Sequence, residues 1–244
     1  MEIRRWQDGE EKAMYDIQFN GIFAKDLKLL VKDRPDIPAP KKRSEKIEIS
    51  GKDGTLIERD GTYEDIIINV PFNYMATQTT WAEIYRKAKA WLLSEGNFEL
   101  ILSDDPDYFY KVKDVEIEPN ERLSMRVGSF SANFLCNPYQ YVISGKREYI
   151  PTEVIYNHFL KSHPTYAIRG EGICALNVNG NVFTVNVSEH VNIDTDRMLA
   201  YKDSEIRNTM VTGKYEDLYL LPGKNEITYT EGFDVKVIPN WRCL

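Results

Sequence analysis

Only one stretch of this sequence has the spacing of apolar residues that an α-helix needs. Apolar side chains recur there every three or four positions, at Trp81, Ile84, Tyr85, Ala88, Trp91 and Leu92. Thr80 followed by Glu83 predicts a capping box at its start, and Gly96 predicts a left-handed C-cap at its end. We therefore expect one helix over about residues 80–94, packed on a sheet, in a chain whose other elements are strands.

The remaining apolar segments alternate or run short between turn residues, as strands do. Aromatic residues, which favour strands, make up 12% of the chain. In the first half we predict strands at residues 15–19, 27–32, 46–49, 55–59, 63–70, 98–102, 108–117 and 123–135. In the second half we predict strands at residues 165–169, 173–178, 182–187, 198–201, 217–221, 226–229 and 233–238. The fold is thus expected to be mainly β, with a β-sandwich in the second half.

Turn residues organise these strands. Asn179-Gly180 lies between two alternating segments and is the strongest hairpin signal in the chain. Asp53-Gly54 and Asp60-Gly61 bracket a short strand and predict a small meander. Three prolines in residues 33–40 predict an extended loop.

A domain boundary is expected near Asn137-Pro138. The long strand pattern ends at Cys136, and all of the helical signal lies before it. A chain of 244 residues is long enough for two domains that each bury a core. We find no internal repeat and no low-complexity run.

Composition excludes several classes of protein. A net charge of −7, from 31 Lys and Arg against 38 Asp and Glu, argues against binding nucleic acid mainly through its phosphates. The three cysteines, Cys136, Cys174 and Cys243, are too widely spaced for a CxxC site and odd in number, which favours a reducing compartment. The polar start does not resemble a secretory signal, and no stretch has the roughly 20 apolar residues of a membrane span. We expect synthesis and folding in the cytoplasm, without membrane insertion.

Motifs for catalysis or cofactor binding are missing from the sequence. No G-x-S-x-G or P-loop pattern is present. His158, His163 and His190 do not have zinc-site spacing, and we interpret them as exposed loop residues. The acidic run Asp104-Asp105-Pro106-Asp107 fails the EF-hand pattern and predicts a solvated turn, with cation binding as the less favoured alternative. We therefore predict no catalytic, cofactor-binding or metal-binding residues and no cofactor.

A short basic run, Lys41-Lys42-Arg43 with Lys46, follows the proline-rich loop. It is typical of a charged loop or an intersubunit contact, and contact with nucleic acid or an acidic partner is the less favoured alternative.

The order of several motifs resembles the distal tail protein family of long-tailed phages and prophages of Gram-positive hosts. The motifs are residues 15–22, Arg34-Pro35, residues 48–56, residues 60–63, residues 103–112 and residues 134–139 in the first half, and residues 191–194, Asn208, Gly213 and residues 220–227 in the second. The resemblance covers most of the chain from Met14 onward. Residues 1–13 are an extension relative to the family, and a misassigned start that should lie at Met14 would explain them.

The resemblance implies an organisation and a role. Residues 14–138 are expected to be a ring-forming domain and residues 139–244 a galectin-like β-sandwich. Six copies would form a ring at the virion tail tip, joining the tail tube protein to the tail-associated lysin or fibre and to receptor-binding or baseplate proteins. DNA would pass through the ring only as cargo. Exposed strand edges are the expected contacts between copies.

Two other classes stay open at this point. The second domain could bind a saccharide of the host wall, although fold analogy is a weak basis for function and Trp241 is its only tryptophan. An enzyme remains only as a hydrolase with unrecognised spacing, because catalytic carboxylates cannot be singled out among 38 acidic residues.

Overall fold

The computed structural model describes residues 14–96, 98–151 and 154–244, so the predicted extension over residues 1–13 lies outside the described residues. The chain forms two compact units. The first contains the described residues up to Pro106 together with Lys111–Asn137, and the second contains Asp107–Tyr110 and Pro138–Leu244.

The first unit is a sheet with one helix. Its elements are β1 (Ile17–Phe19), β2 (Ile22–Phe23), β3 (Leu29–Val31), β4 (Lys42–Glu48), β5 (Thr55–Tyr63), β6 (Ile66–Met75), α1 (Trp81–Leu92), β7 (Glu99–Leu102), β8 (Asp105–Ile117), β9 (Glu121–Arg122) and β10 (Val127–Val142), with a 3-10 helix at Ala24–Leu27. Residues 107–110 of β8 and 138–142 of β10 belong to the second unit. The strands pair in the order β2-β1-β7-β8-β10-β6-β3, and β9 also pairs with β10. The strands β4 and β5 form a separate two-stranded sheet.

Helix α1 packs its apolar face on this sheet, as the periodicity predicted. Ile84, Ala88, Trp91 and Leu92 are buried. The Trp91 indole N–H donates a hydrogen bond of 2.9 Å to the carbonyl oxygen of Phe19. The rings of Phe19 and Phe72 make edge contacts with that indole, and the Phe19 ring also makes an edge contact with Phe134. The helix therefore closes an aromatic core.

The second unit is a β-sandwich around one core. Its strands are β11 (Val154–Asn157), β12 (Thr165–Val178), β13 (Asn181–Asp194), β14 (Leu199–Lys202), β15 (Glu205–Ile206), β16 (Val211–Thr212), β17 (Gly223–Tyr229), β18 (Asp234–Ile238) and β19 (Arg242–Cys243), with 3-10 helices at Ile143–Lys146, Asn208–Met210 and Tyr215–Leu218. The main sheet has the order β11-β17-β12-β13-β14-β15, with β18 on β12 and β16 on β13. The mainly β fold with one α-helix is thus confirmed.

The hairpin predicted at Asn179-Gly180 is confirmed. These residues have φ of 53° and 89°, the two positive values that a type I′ turn requires. The strands β12 and β13 then pair along their whole length, from Val178 opposite Asn181 to Thr165 opposite Asp194. This hairpin forms the middle of the second unit.

Two local predictions were wrong. Asp60-Gly61 does not end a strand but lies inside β5, where the pairing with β4 shifts between Lys42 and Ser44. Gly61 has a φ of 80° and supplies the positive φ of a bulge, so the predicted meander is a two-stranded ribbon. Residues 217–221 are not a strand: the chain there is the 3-10 helix Tyr215–Leu218 followed by a single bridge from Leu220. Leu218 and Leu220 are buried, which explains the apolar pattern.

Other predicted ends moved. The strand expected to stop at Cys136 continues as β10 to Val142, and it begins at Val127 because Leu123 and Met125 lie in an exposed turn. Gly96 is not the C-cap of α1, which ends at Leu92 with Leu93 as its cap. Within the described residues, the structure contains no helix with the length and apolarity needed to cross a membrane.

Candidate interaction surfaces

The residues that sequence analysis considered for metal binding do not come together. His163 lies half-buried beside Asp196, with Nδ1 and Oδ1 2.8 Å apart, and stacks on Tyr219. His158 is an exposed loop residue, as predicted, whereas His163 lies in a loop but is half-buried. The interpretation was wrong for His190, which is a half-buried strand residue of β13. Among the described residues, no three His, Cys, Asp or Glu side chains are grouped as metal ligands.

Only Asp104 of the predicted acidic turn lies in a turn, because the residues from Asp105 to Asp107 already belong to strand β8. Ser103 and Asp104 connect β7 to β8, which begins at Asp105. The Asp104 carboxylate pairs with Arg34, whose Nε lies 3.2 Å from Oδ2. Asp104 therefore links the proline-rich loop to the β7–β8 turn.

The ribbon formed by β4 and β5 has no fully buried side chain among its described residues. We call residues 42–63 the ribbon. Every described side chain of β4 and β5 is exposed or half-buried, including Leu56 and Ile57, which are 51% and 47% exposed. An isolated two-stranded ribbon is only marginally stable in water. The ribbon thus has two faces without a core and apolar side chains open to a partner.

A second surface is the edge of β6 that β3 leaves uncovered. The strand β3 pairs only with Phe72–Tyr74, and the Lys32 N–H donates to the Pro71 carbonyl oxygen at 2.9 Å. Alternate residues of a strand direct their backbone groups to the same edge, so Ile67 and Asn69 face the same way as Pro71. No described residue forms a backbone hydrogen bond with them on that side. They line a groove of about 410 Å³ with residues 33–38 of the proline-rich loop.

The outer side of α1 forms a third surface that the sequence patterns did not reveal. Trp81, Tyr85, Arg86 and Lys89 line a cavity of about 310 Å³ together with Arg122 of β9. The sequence shows the helical spacing of the four α1 residues, but it does not show that the fold places Arg122 beside them.

In the second unit, a polar slot of about 270 Å³ opens beside β13, between β14 and β16. It is lined by Asn186, Ser188, His190, Val191, Lys202, Arg207 and Met210. Lys202 Nζ donates to the Ser188 carbonyl oxygen at 3.0 Å and pairs with Glu189 at 2.7 Å, and Arg207 pairs with Glu205. Paired cations and carboxylates give the slot both donors and acceptors.

The three cysteines are free thiols. Burial raises the pKa of the Cys136 thiol to about 12 and also raises that of Cys174. Neither thiol has the low pKa and exposure of a reactive cysteine, so both act as core residues.

Comparison with known proteins places these surfaces in context. The sequence pattern of the phage tail protein RIFT-related domain matches residues 25–136. The fold is similar to the crystal structure of the SPP1 Dit (gp 19.1) protein, described as a paradigm of the hub adsorption apparatus in phages that infect Gram-positive hosts. That similarity has a TM-score of 0.60 at 13% identity and covers 91% of this chain and 97% of that one. No curated protein sequence matches this chain.

Both similarities agree with the motifs found in the sequence. The matched domain begins in the 3-10 helix before β3 and ends at Cys136, so it spans the ribbon, α1 and the β6 edge. The structural similarity extends through the second unit. Residues 25–136 therefore resemble a phage tail protein RIFT-related domain, and the chain has the fold of the SPP1 Dit protein. Both findings support the resemblance to the distal tail protein family.

Proposed function

We propose that this protein is a structural hub of a phage tail tip, located in the virion tail. Six copies form a ring that joins the tail tube to the tail-associated lysin or fibre and to receptor-binding or baseplate proteins. The SPP1 protein of similar fold is described as part of a hub adsorption apparatus, which supports a structural rather than an enzymatic role. Residues 14–138 are the ring-forming domain in this proposal, and residues 139–244 are the outer domain.

The uncovered ribbon is the observation that carries the proposal. Its exposed apolar residues, Leu56 and Ile57, lie on a two-stranded sheet that has no core of its own. Burying an apolar side chain of this size contributes roughly 1.5–3 kcal/mol. Contact with another copy would therefore stabilise both the ribbon and the assembly.

The open edge of β6 supports the same proposal. The backbone N–H and C=O groups of Ile67 and Asn69 lie beside the groove, where an extended segment of another chain could pair with them. A ring requires two different surfaces on each copy, because its interface is heterologous and closes by rotation. The first unit offers more than one such surface, the ribbon and the β6 edge among them.

Light scattering of the purified protein, with negative-stain imaging of the same sample, tests the proposal. We expect a species near six times 28.4 kDa with a ring outline. A Leu56→Ser/Ile57→Ser variant should fold but shift to smaller species, whereas Ile173→Ser, an exposed change in the second unit, should not. A wild-type protein that remains monomeric at all concentrations, or assembles only as a dimer, would contradict the ring.

A second candidate function is binding of a host-wall saccharide by the second unit. The polar slot favours it, because neighbouring donors and acceptors suit sugar hydroxyl groups. Trp241 is only 8% exposed and is therefore not an aromatic platform for a sugar. Titration calorimetry with wall polysaccharide tests this function: saturable binding that Asn186→Ala/Lys202→Ala abolishes would support it, and no heat of binding would reject it.

A further inference from the structure

The outer side of α1 gathers positive charge in an otherwise acidic protein. We call Trp81, Tyr85, Arg86, Lys89 and Arg122 the α1 face. Arg86, Lys89 and Arg122 are exposed, and none of them forms an ion pair with a described residue. The chain as a whole has a net charge of −7. Three uncompensated cations around one cavity of about 310 Å³ therefore point to an acidic partner.

The aromatic rings of the α1 face hold two of these cations in place. The Arg122 guanidinium lies 4.7 Å from the centre of the Trp81 ring, and Lys89 Nζ lies 5.1 Å from that of Tyr85. The Tyr85 ring also packs edge-on against Phe130. Each ring already has a cation over one face, so the arrangement favours carboxylates over stacked nucleic-acid bases as ligands.

One face of the ribbon has the complementary charge. Glu45 lies directly opposite Glu58, and Ile47 lies directly opposite Leu56 one pair further along the same face. Like charges directly opposite each other destabilise a two-stranded sheet. Neither carboxylate forms an ion pair with a described residue, although Arg43 lies two residues before Glu45 on the same strand.

We propose that the ribbon of one copy docks on the α1 face of the next copy, with Glu45 and Glu58 against the three cations. The apolar pair Ile47 and Leu56 would then lie against the Trp81 and Tyr85 rings. This inference rests on the proposed ring and names its interface. A two-fold contact through the α1 face would place cations against cations, so the pairing is heterologous, as a closed ring requires.

Charge reversal tests the pairing. Two double variants, Arg86→Glu/Arg122→Glu and Glu45→Arg/Glu58→Arg, are tested separately. Each should raise the protein concentration needed for half-maximal assembly at least tenfold, as measured by light scattering. The combined fourfold variant should regain assembly, because opposite charges face each other again. Arg147→Glu/Lys214→Glu is the matched control in the second unit, and Arg86→Gln/Arg122→Gln tests the same loss of charge with less disturbance of the helix. Circular dichroism and thermal unfolding confirm that each variant folds.

The outcomes separate this inference from the ring itself. A wild-type ring that neither reversal weakens, or a combined variant that does not reassemble, overturns the ribbon contact but leaves the ring. A wild type that is monomeric at every concentration overturns both. Binding of a DNA oligonucleotide that is lost in Arg86→Glu/Arg122→Glu, without any change in assembly, assigns the α1 face to nucleic acid instead.

Discussion

At the scale of single residues, buried polar side chains fix the turns that the sequence motifs only suggested. Asn225, in the motif at residues 220–227, is fully buried. Its Oδ1 accepts from the Leu221 N–H at 2.8 Å and from Asn179 Nδ2 at 2.9 Å, and its Nδ2 donates to the Leu221 and Gly223 carbonyl oxygens. One side chain thus joins the turn before β17 to the β12–β13 hairpin.

Replacing Asn225 should therefore be costly. In Asn225→Ala three partly buried backbone groups, of Leu221 and Gly223, lose their partners. Each group left unsatisfied costs about 1–3 kcal/mol where water cannot reach it. We expect the free energy of unfolding of the second unit to fall by about 3 kcal/mol or more in urea titrations. Asn177→Ala removes a single exposed hydrogen bond to Gly180 and should cost much less. Equal losses in the two variants would contradict this role of Asn225.

Asp16 gives a residue-scale prediction about pH. It is 6% exposed, and desolvation raises the pKa of its carboxyl above 3.8 even though the Ile17 N–H donates to Oδ1 at 2.9 Å. The folded state therefore holds this proton more tightly than the unfolded state does. The stabilising contribution is complete below pH 3.8 and is lost as pH rises through the raised pKa.

Asp16→Asn keeps the oxygen that accepts from Ile17 but removes the titration. Its thermal midpoint relative to wild type should therefore increase between pH 3 and pH 7. Asp53→Asn, an exposed change in the turn between β4 and β5, serves as the control for the loss of one carboxylate. A midpoint difference for Asp16→Asn that is the same at pH 3 and pH 7 would show that burial of this carboxyl does not affect stability.

At the scale of elements, periodicity predicted the helix α1 and its buried face, and the packing confirms both. It did not predict where the helix ends. The helix α1 follows from six apolar positions on one face. Its start follows from Thr80, whose Oγ1 accepts from the Glu83 N–H at 3.3 Å. The Glu83 carboxylate pairs with Lys87 at 3.0 Å, so only the Thr80 half of the predicted capping box is seen. The end of the helix could not be predicted from Gly96. The Ser94 hydroxyl, two residues before Gly96, donates a hydrogen bond to the Trp91 carbonyl oxygen, and the helix ends before it.

Loss of this N-cap should weaken the helix. Thr80→Ala removes the acceptor for the Glu83 N–H and should lower the free energy of unfolding by about 1 kcal/mol. Thr80→Ser keeps the hydroxyl and should restore most of it. Urea unfolding followed by fluorescence measures the change, because Trp81 and Trp91 lie on this helix. If Thr80→Ala and Thr80→Ser were equally destabilised, packing of the Thr80 methyl group would explain the effect.

At the scale of the whole molecule, the sequence predicted two β-rich parts that divide near Asn137-Pro138, but not that a segment of the first part belongs to the second unit. The four residues Asp107–Tyr110 lie within β8 yet belong to the second unit. Strand patterns describe local alternation, and they carry no information about which distant residues a strand will meet. The α1 face and the ribbon could not be predicted for the same reason. Strand pairing alone places Arg122 beside α1 and Glu45 opposite Glu58.

Phe109 tests whether this segment supports the second unit. It is 3% exposed, stacks on Tyr141 with ring centres 5.5 Å apart, and lies beneath Lys146 Nζ. Truncating a buried Phe to Ala typically costs about 3–5 kcal/mol.

In a background where Trp6, Trp81 and Trp91 are replaced by Phe, the remaining Trp241 reports on the second unit alone, because it is buried in that core. We expect Phe109→Ala to lower the unfolding midpoint seen by Trp241, and Phe98→Ala, a partly exposed site in the first unit, to leave it nearly unchanged. If Phe109→Ala left the Trp241 transition in place, the second unit would be stable on residues 138–244 alone, and the segment in β8 would contribute only to the first unit.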